Sequence, residues 1–246
     1  MLLLPYGLPI DALREAHGFF DDFDHVVTAD RWTTIADDSG STVTVGDGVA
    51  GIATLAHDGT DEDESYLHTT IEQFKMADNK PIVIEARLQF AEAATDAANV
   101  IFGVKDAVAA NALQDAGAGP AASYNGACFF KVDGGTRWQV ESSITTTQTT
   151  SDTKYTAGGA GFHTLRIEIN NTASATIMDV KFFIDTSGGR DFTQCRLTGK
   201  LNSIISHQVT LGTAEEMDVF VGLKNGSANA ETLSVDYITA YQRRFA

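Results

Sequence analysis

Cysteine and proline are both scarce, at two and four in 246 residues. Two cysteines do not make a disulfide framework. Cys128 and Cys195 each lie in or beside an apolar run ("GACFFKV", "FTQCRL"), where a small buried thiol is expected. With so few prolines, no repeat and no Pro-rich or Ser-rich joint, nothing divides the chain by composition. Positive charge is scarce too: 17 basic residues face 33 acidic ones, for a net charge of −16. So acidic a surface repels a phosphate backbone, and no basic cluster offsets it, which excludes nucleic acid as a partner. No apolar run approaches the ~20 residues of a membrane helix, so no membrane partner is expected. The opening "MLLLPYGLP" is broken by Pro5, Gly7 and Pro9, has no basic residue before it and no small-residue cleavage site after it. The chain therefore reads as a soluble protein made and used without export.

Catalytic signatures are missing as well. There is no Gly-x-Ser-x-Gly elbow, no Gly-rich phosphate loop opening a helix, and no histidine near either cysteine in sequence. The histidines at 17, 25, 57, 68, 163 and 207 show no metal-ligand spacing. A glycosidase needs two carboxylates facing one sugar. "DGTDEDESYLH" offers Asp61 with Asp63 and Glu62 with Glu64, but these acids crowd a strand start with no aromatic beside them. A solvated acidic turn is expected there. Its hard oxygen ligands would suit calcium, yet the segment has no Gly-centred ligand loop. No catalytic residue, metal ligand or cofactor is assigned, and the chain is not expected to be an enzyme.

What the sequence does have is alternation with period two. In "PIVIEARLQF", Ile82, Ile84, Ala86, Leu88 and Phe90 share one face while Val83, Glu85, Arg87 and Gln89 share the other. Met217, Val219, Val221 and Leu223 repeat the pattern, as do Leu165, Ile167 and Ile169. Clusters of Gly, Asn, Asp and Ser separate these runs, which argues for an antiparallel sandwich or barrel. Helix is confined to two short candidates, 10–17 and 106–117, the second read as a long loop carrying one helical turn. The Thr-rich segment 142–156 suits an exposed hairpin as well as a loop. Trp138 shares a face with Val140 and is expected in the core. Trp32, after a charged stretch in "ADRWTTIADDSG", is the aromatic expected to face a ligand.

The run from Phe162 to Ile167, followed by "VKFFIDTSGG", resembles the paired strands of concanavalin A-like, laminin-G-like jelly rolls. Phe162 stands where tryptophan is usual. "FFDDFDHVVTADRW", "PIVIEARLQF" and "VFVGLKNG…ETLSVDYITAY" match too, so the resemblance spans residues 18–243. It implies an all-β, antiparallel two-sheet jelly-roll sandwich over 20–246, preceded by an extended arm over 1–19, with Asp185 serving a turn. The acidic strand of this fold's glycosidases and the metal loop of its legume-type lectins find no match. The stretch "DEDESYLHTTIEQFKMADNKPIVIEARL" and the strand "ANVIFGVKDAV" are similar to those of small acidic virion proteins of tailed phages. That likeness implies a capsid decoration (cement) protein, assembled in the host cytoplasm and carried on the capsid surface. Its partners would be the major capsid protein and other copies of itself. In such a role Leu2, Leu3, Leu4 and Tyr6 would dock the arm on the partner. The alternative is a carbohydrate-binding, lectin-like module that attaches to a surface glycan.

Overall fold

The computed structural model describes residues 15–25, 29–36, 40–46, 51–159, 161–171, 176–187, 192–196, 204–211 and 215–244. Among these, strands numbered along the chain form two antiparallel sheets. The nine-stranded sheet runs β14 (Thr193–Gln194), β13 (Ile177–Asp185), β12 (His163–Asn171), β7 (Ile82–Ala91), β17 (Thr232–Arg243), β4 (Ile52–Ala56), β3 (Thr42–Gly46). Onto it β1 (Ala16–Asp21) pairs with β17, and β15 (Ser206–Thr210) with β13. The eight-stranded sheet runs β11 (Thr147–Thr156), β10 (Arg137–Ile144), β9 (Gly126–Lys131), β8 (Ala98–Lys105), β16 (Glu215–Asn225), β5 (Glu64–Thr69), β2 (Trp32–Ala36). There β6 (Phe74–Met76) adds to β16. This is the jelly-roll sandwich that the alternation and the resemblance implied.

The alternating residues do what period two requires. Ile82, Ile84, Ala86, Leu88 and Phe90 of β7 are all buried between the sheets, together with Leu165, Ile167 and Ile169 of β12 and Met217, Val219, Val221 and Leu223 of β16. Trp138 lies among them, edge-on to Phe90 and Phe129, and donates its indole N–H to His163 Nδ1 at 2.9 Å. The Thr-rich segment is the β10–β11 hairpin, and 106–125 is a long loop with one 3₁₀ turn at Asp115–Gly117. Asp185 closes β13 by accepting the backbone N–H and the hydroxyl of Ser187 at 2.7 and 2.6 Å, which is the turn role expected of it.

Several expectations need correction. The short helix expected over 10–17 is not formed at its described end, where Ala16 and His17 pair with Arg243 and Gln242 in β1. Residues 16–19, assigned to the arm, thus run in the sheet, whereas Leu2, Leu3, Leu4 and Tyr6 lie outside the described residues. Trp32 does not face a ligand: it is 1% exposed, wedged between Phe19 and Phe23. The charged stretch before it misleads because Asp21 takes up both the Trp32 indole N–H and the Arg31 guanidinium, each at 2.9 Å.

A further departure concerns the second face of the eight-stranded sheet. Tyr66, Ile101, Ala112, Leu113, Tyr124, Cys128, Phe130 and Phe220 make a separate apolar cluster there. The loop 106–125 lies over this outer face, so Phe220 and Lys224 are as buried as their inward neighbours on β16. Cys128 belongs to that outer cluster and Cys195 to the main core; both thiols are free, and burial raises the pKa of each.

Two stability predictions follow from this packing. Leu165→Ala or Ile167→Ala should cost about 2–5 kcal/mol, the usual result of emptying a packed site. Arg166→Ala or Glu168→Ala should cost less than about 1 kcal/mol, because that pair is partly open to solvent. Chemical denaturation of the four variants checks this, and a reversed ranking would mean the facing of β12 is wrong. The second concerns His207, which is buried against Phe182 and hydrogen-bonded to Ser142 and Ser151. Burial lowers its pKa from 6.5 to about 4. The folded state therefore prefers neutral imidazole, and that preference is intact above pH 6.5 and lost as pH falls toward 4. The stability advantage of wild type over His207→Gln should shrink by about 3 kcal/mol between pH 7 and 4, at about 1.4 kcal/mol per pH unit. A pH-independent difference between the two proteins would contradict it.

Candidate functional site

Strand register carries side chains across the outer face in rows. Thr150, Glu141, Cys128, Gly103 and Phe220 form one row; Asp152, Gln139, Phe130, Ile101 and Gly222 form the next. At the β8 and β16 end, the loop and its apolar cluster cover these rows. At the β10 and β11 end the rows remain open, as two adjoining clefts. One, of about 300 Å³, lies between the loop tip (Gly117, Pro120) and Phe130, Gln139, Glu141 and Thr150. The other, of about 290 Å³, lies beside the β9–β10 turn at Gly134, Gly135 and Arg137. Gln139 lines both, so they form one groove along β10 and β11.

Glu141 is the chemical centre of the groove. Its side chain accepts hydrogen bonds from Tyr124 (3.0 Å), Gln148 (3.2 Å) and Thr150 (2.5 Å), all of them neutral groups. Burial raises its pKa, and the hydrogen bonds from Thr150 and Tyr124 work the other way, favouring the charged form. Among the described residues no basic side chain pairs with it. Tyr124 is held in turn by the hairpin: its N–H donates to Thr145 O (3.0 Å), and its carbonyl accepts the Ser143 hydroxyl (2.7 Å). Thr145 adopts φ 54°, the left-handed geometry that reverses the chain between β10 and β11.

The other wall is the loop, which folds back on itself. Leu113 bridges to Pro120, Gln114 N–H donates to Gly119 O at 2.8 Å, and the Gln114 amide reaches Pro120 O at 2.6 Å. Its anchor is the acidic segment. Glu64 accepts the N–H of Asn111 (2.7 Å) and the hydroxyl of Tyr66 (2.7 Å), while Glu62 accepts the N–H of Ala116 (2.7 Å). Tyr66 OH itself accepts the Leu113 N–H at 3.0 Å. That ring lies flat over β16 only because position 222 is glycine; a Cβ there would come within 2.1 Å of the ring. The ammonium of Lys224, 1% exposed, sits among Glu62, Glu64 and Asp115. The solvated acidic turn expected at 61–64 is thus corrected: Glu64 is 3% exposed and part of a buried charge cluster.

Sequence reading assigned Glu141, Gln148, Thr150 and Lys224 no function. Alternation in "TRWQVESS" put Gln139 and Glu141 opposite Trp138, which was the available signal. Nothing local marked that face as a groove, since its other wall comes from residues 114–122.

No family model matches the sequence, and no curated protein is significantly similar to it. Solved structures do share its fold. The VIP36 exoplasmic/lumenal domain in its Ca²⁺/Man3GlcNAc-bound form aligns with a TM-score of 0.59 at 7% identity, over 92% of this chain and 89% of that one. Peanut lectin with a nine-residue peptide gives 0.58 at 12% identity, over 93% and 97%. A legume lectin-like domain from Entamoeba histolytica gives 0.54 at 8%, over 85% and 89%. At such identities the likeness establishes the legume-lectin-like, concanavalin A-like jelly-roll fold.

The Ca²⁺ in one of these structures raises the question of a metal here. Among the described residues no group of three His, Cys, Asp or Glu side chains is placed to hold an ion. Three carboxylates that do gather around one point, Glu62, Glu64 and Asp115, already surround Lys224. With the Lys224 ammonium already at their centre, these oxygens leave no place for a resident divalent ion.

Because folding disfavours the ionised form of Glu141, its charge costs stability at neutral pH. Glu141→Gln, which keeps the shape, should leave Tm unchanged or raised at pH 7. A fall of several degrees in calorimetry would instead make the carboxylate a structural group.

Proposed function

We propose that this protein is a non-catalytic carbohydrate-binding domain that takes a neutral glycan in the groove along β10 and β11. The observation that carries the reading is Glu141: a desolvated carboxylate at the floor of an open cleft, hydrogen-bonded only to neutral donors. Two carboxylate oxygens offer about four acceptor positions. Three are used, which leaves one acceptor position for a ligand hydroxyl. Gln139 and Thr150 supply amide and hydroxyl groups beside it. The two clefts in tandem suit two or more linked sugar units. A negative protein with a carboxylate in its groove disfavours anionic ligands.

The fold neighbours support the same choice, being lectins, lectin-like domains or glycan-bound. The capsid-decoration role expected from the sequence draws no support from them, nor do a virion location or capsid partners.

The test is retention of the full chain on an array of neutral glycans, followed by titration with those retained. Glu141→Gln and Gln139→Ala should each weaken Kd about tenfold or more, the cost of losing a hydrogen bond to a charged or well-placed polar group. A folded protein that retains no neutral glycan, or binds equally well in both variants, would refute the assignment.

A further inference from the structure

Five oxygen atoms converge on Lys224 Nζ: Asp115 Oδ1 at 2.5 Å, Asn111 Oδ1 at 2.8 Å, Leu113 O at 3.3 Å, Glu64 Oε2 at 3.4 Å and Glu62 Oε2 at 3.7 Å. Carboxylate, amide and backbone carbonyl oxygens together are the donor set that a hard cation selects. Here the charge at the centre is an ammonium fixed covalently to β16. We propose that Lys224 is a built-in cation that seats the loop 106–125 on the sheet, so that the groove beside this loop is organised without a metal ion.

The oxygens come from two parts of the chain. Glu64 opens β5 and Glu62 lies in the turn just before it, while Asn111, Leu113 and Asp115 belong to the loop. The ammonium is what the two parts share. An ammonium has three protons; Asp115, Asn111 and either Leu113 O or Glu64 can take them, and the remaining attraction is through space. Glu62 Oε2 is buried and accepts no hydrogen bond, so the positive charge beside it is its compensation. Three carboxylates around one ammonium leave the cage negative. Without the ammonium, the same carboxylates would repel each other and release the loop, or draw a cation from solvent into its place. Burial by itself pulls the Lys224 pKa down, but the Asp115 hydrogen bond and the charges of Glu64, Asp115 and Glu62 more than reverse this, and the group stays charged at neutral pH.

The consequence reaches the groove because Gly117 and Pro120, which wall it, lie just beyond the residues that Lys224 holds. The biological meaning of this device rests on the glycan-binding reading, but the device itself can be measured with no ligand present.

The experiment is amide hydrogen exchange of the full chain, read at Asn111, Leu113 and Ala116, whose N–H groups donate to Glu64, Tyr66 and Glu62. In wild type, EDTA should leave their protection unchanged. Lys224→Met should speed their exchange about tenfold or more while the core amides of β8 and β16 stay protected. In Lys224→Ala, millimolar calcium or potassium chloride should restore part of the protection by filling the cage. Loss of protection in wild type on adding EDTA would overturn the proposal, since a metal would then be seating the loop. Unchanged exchange in Lys224→Met would also overturn it, as would failure of either salt to slow exchange in Lys224→Ala. If both Lys224 variants fail to fold, Asp115→Asn, at a side chain that is 66% exposed, carries the test. It should speed exchange at Leu113 and Ala116, and no change there would overturn the proposal. A protein that passes yet binds no neutral glycan keeps this inference and loses the binding role; one that binds glycan but needs metal for loop order does the reverse.

Discussion

Withdrawing a lysine ammonium from water is costly unless carboxylates and carbonyls replace the water around it. In this protein the replacement is made by residues distant in sequence, at 62–64 and 111–115, and they can meet only if the loop 106–125 lies flat on the outer face of the eight-stranded sheet. The position of that loop in turn decides how much of the face is covered and where the groove begins. A buried ion cluster of this kind contributes less to net stability than its charges suggest, because its attraction is largely offset by desolvation. What it contributes is register. Asn111, Leu113 and Asp115 satisfy Lys224, Glu64, Glu62 and Tyr66 together, so polar satisfaction sets the register of a loop that also buries apolar area.

The two halves of the eight-stranded sheet's outer face illustrate different solutions to one problem. Over β8, β16 and β5, Ile101, Phe220 and Tyr66 would expose apolar surface, and the loop's Ala112 and Leu113 cover it. Over β10 and β11 the face is Gln139, Glu141, Thr150 and Asp152, polar enough to stay wet. The groove lies at the boundary between the covered and the wet halves. A buried apolar cluster and a polar groove are adjacent there.

Inward faces were legible from sequence because burial there is set by the strand's own alternation. Ile82 to Phe90 and Leu165 to Ile169 needed no knowledge of their neighbours. The outer faces were not legible, since their environment is supplied by other segments. Phe220 and Lys224 occupy positions that alternation assigns to solvent, and a loop more than 100 residues earlier in the chain buries them. The acidic run at 61–64 looked hydrated for the same reason: its counter-charge stands at position 224. Trp32 was misjudged because Asp21 satisfies its indole from another strand. Glu141 was visible as a residue opposite Trp138, but a lone carboxylate on a strand becomes a site only when a second wall stands beside it. In each case the missing information was a contact between segments far apart in the chain.

The strand order has a consequence for how the chain reaches this structure. β16 lies between β8 and β5 in one sheet, and β17 lies between β7 and β4 in the other. Both central strands come from residues 215–243, after nearly all the strands they hold together. Neither sheet can close around its middle until that segment is available, so until then the earlier strands keep unpaired edges. Folding therefore waits on residues 215–243 and on contacts of long sequence separation, which close slowly. A net charge of −16 opposes association between chains whose edges are still open.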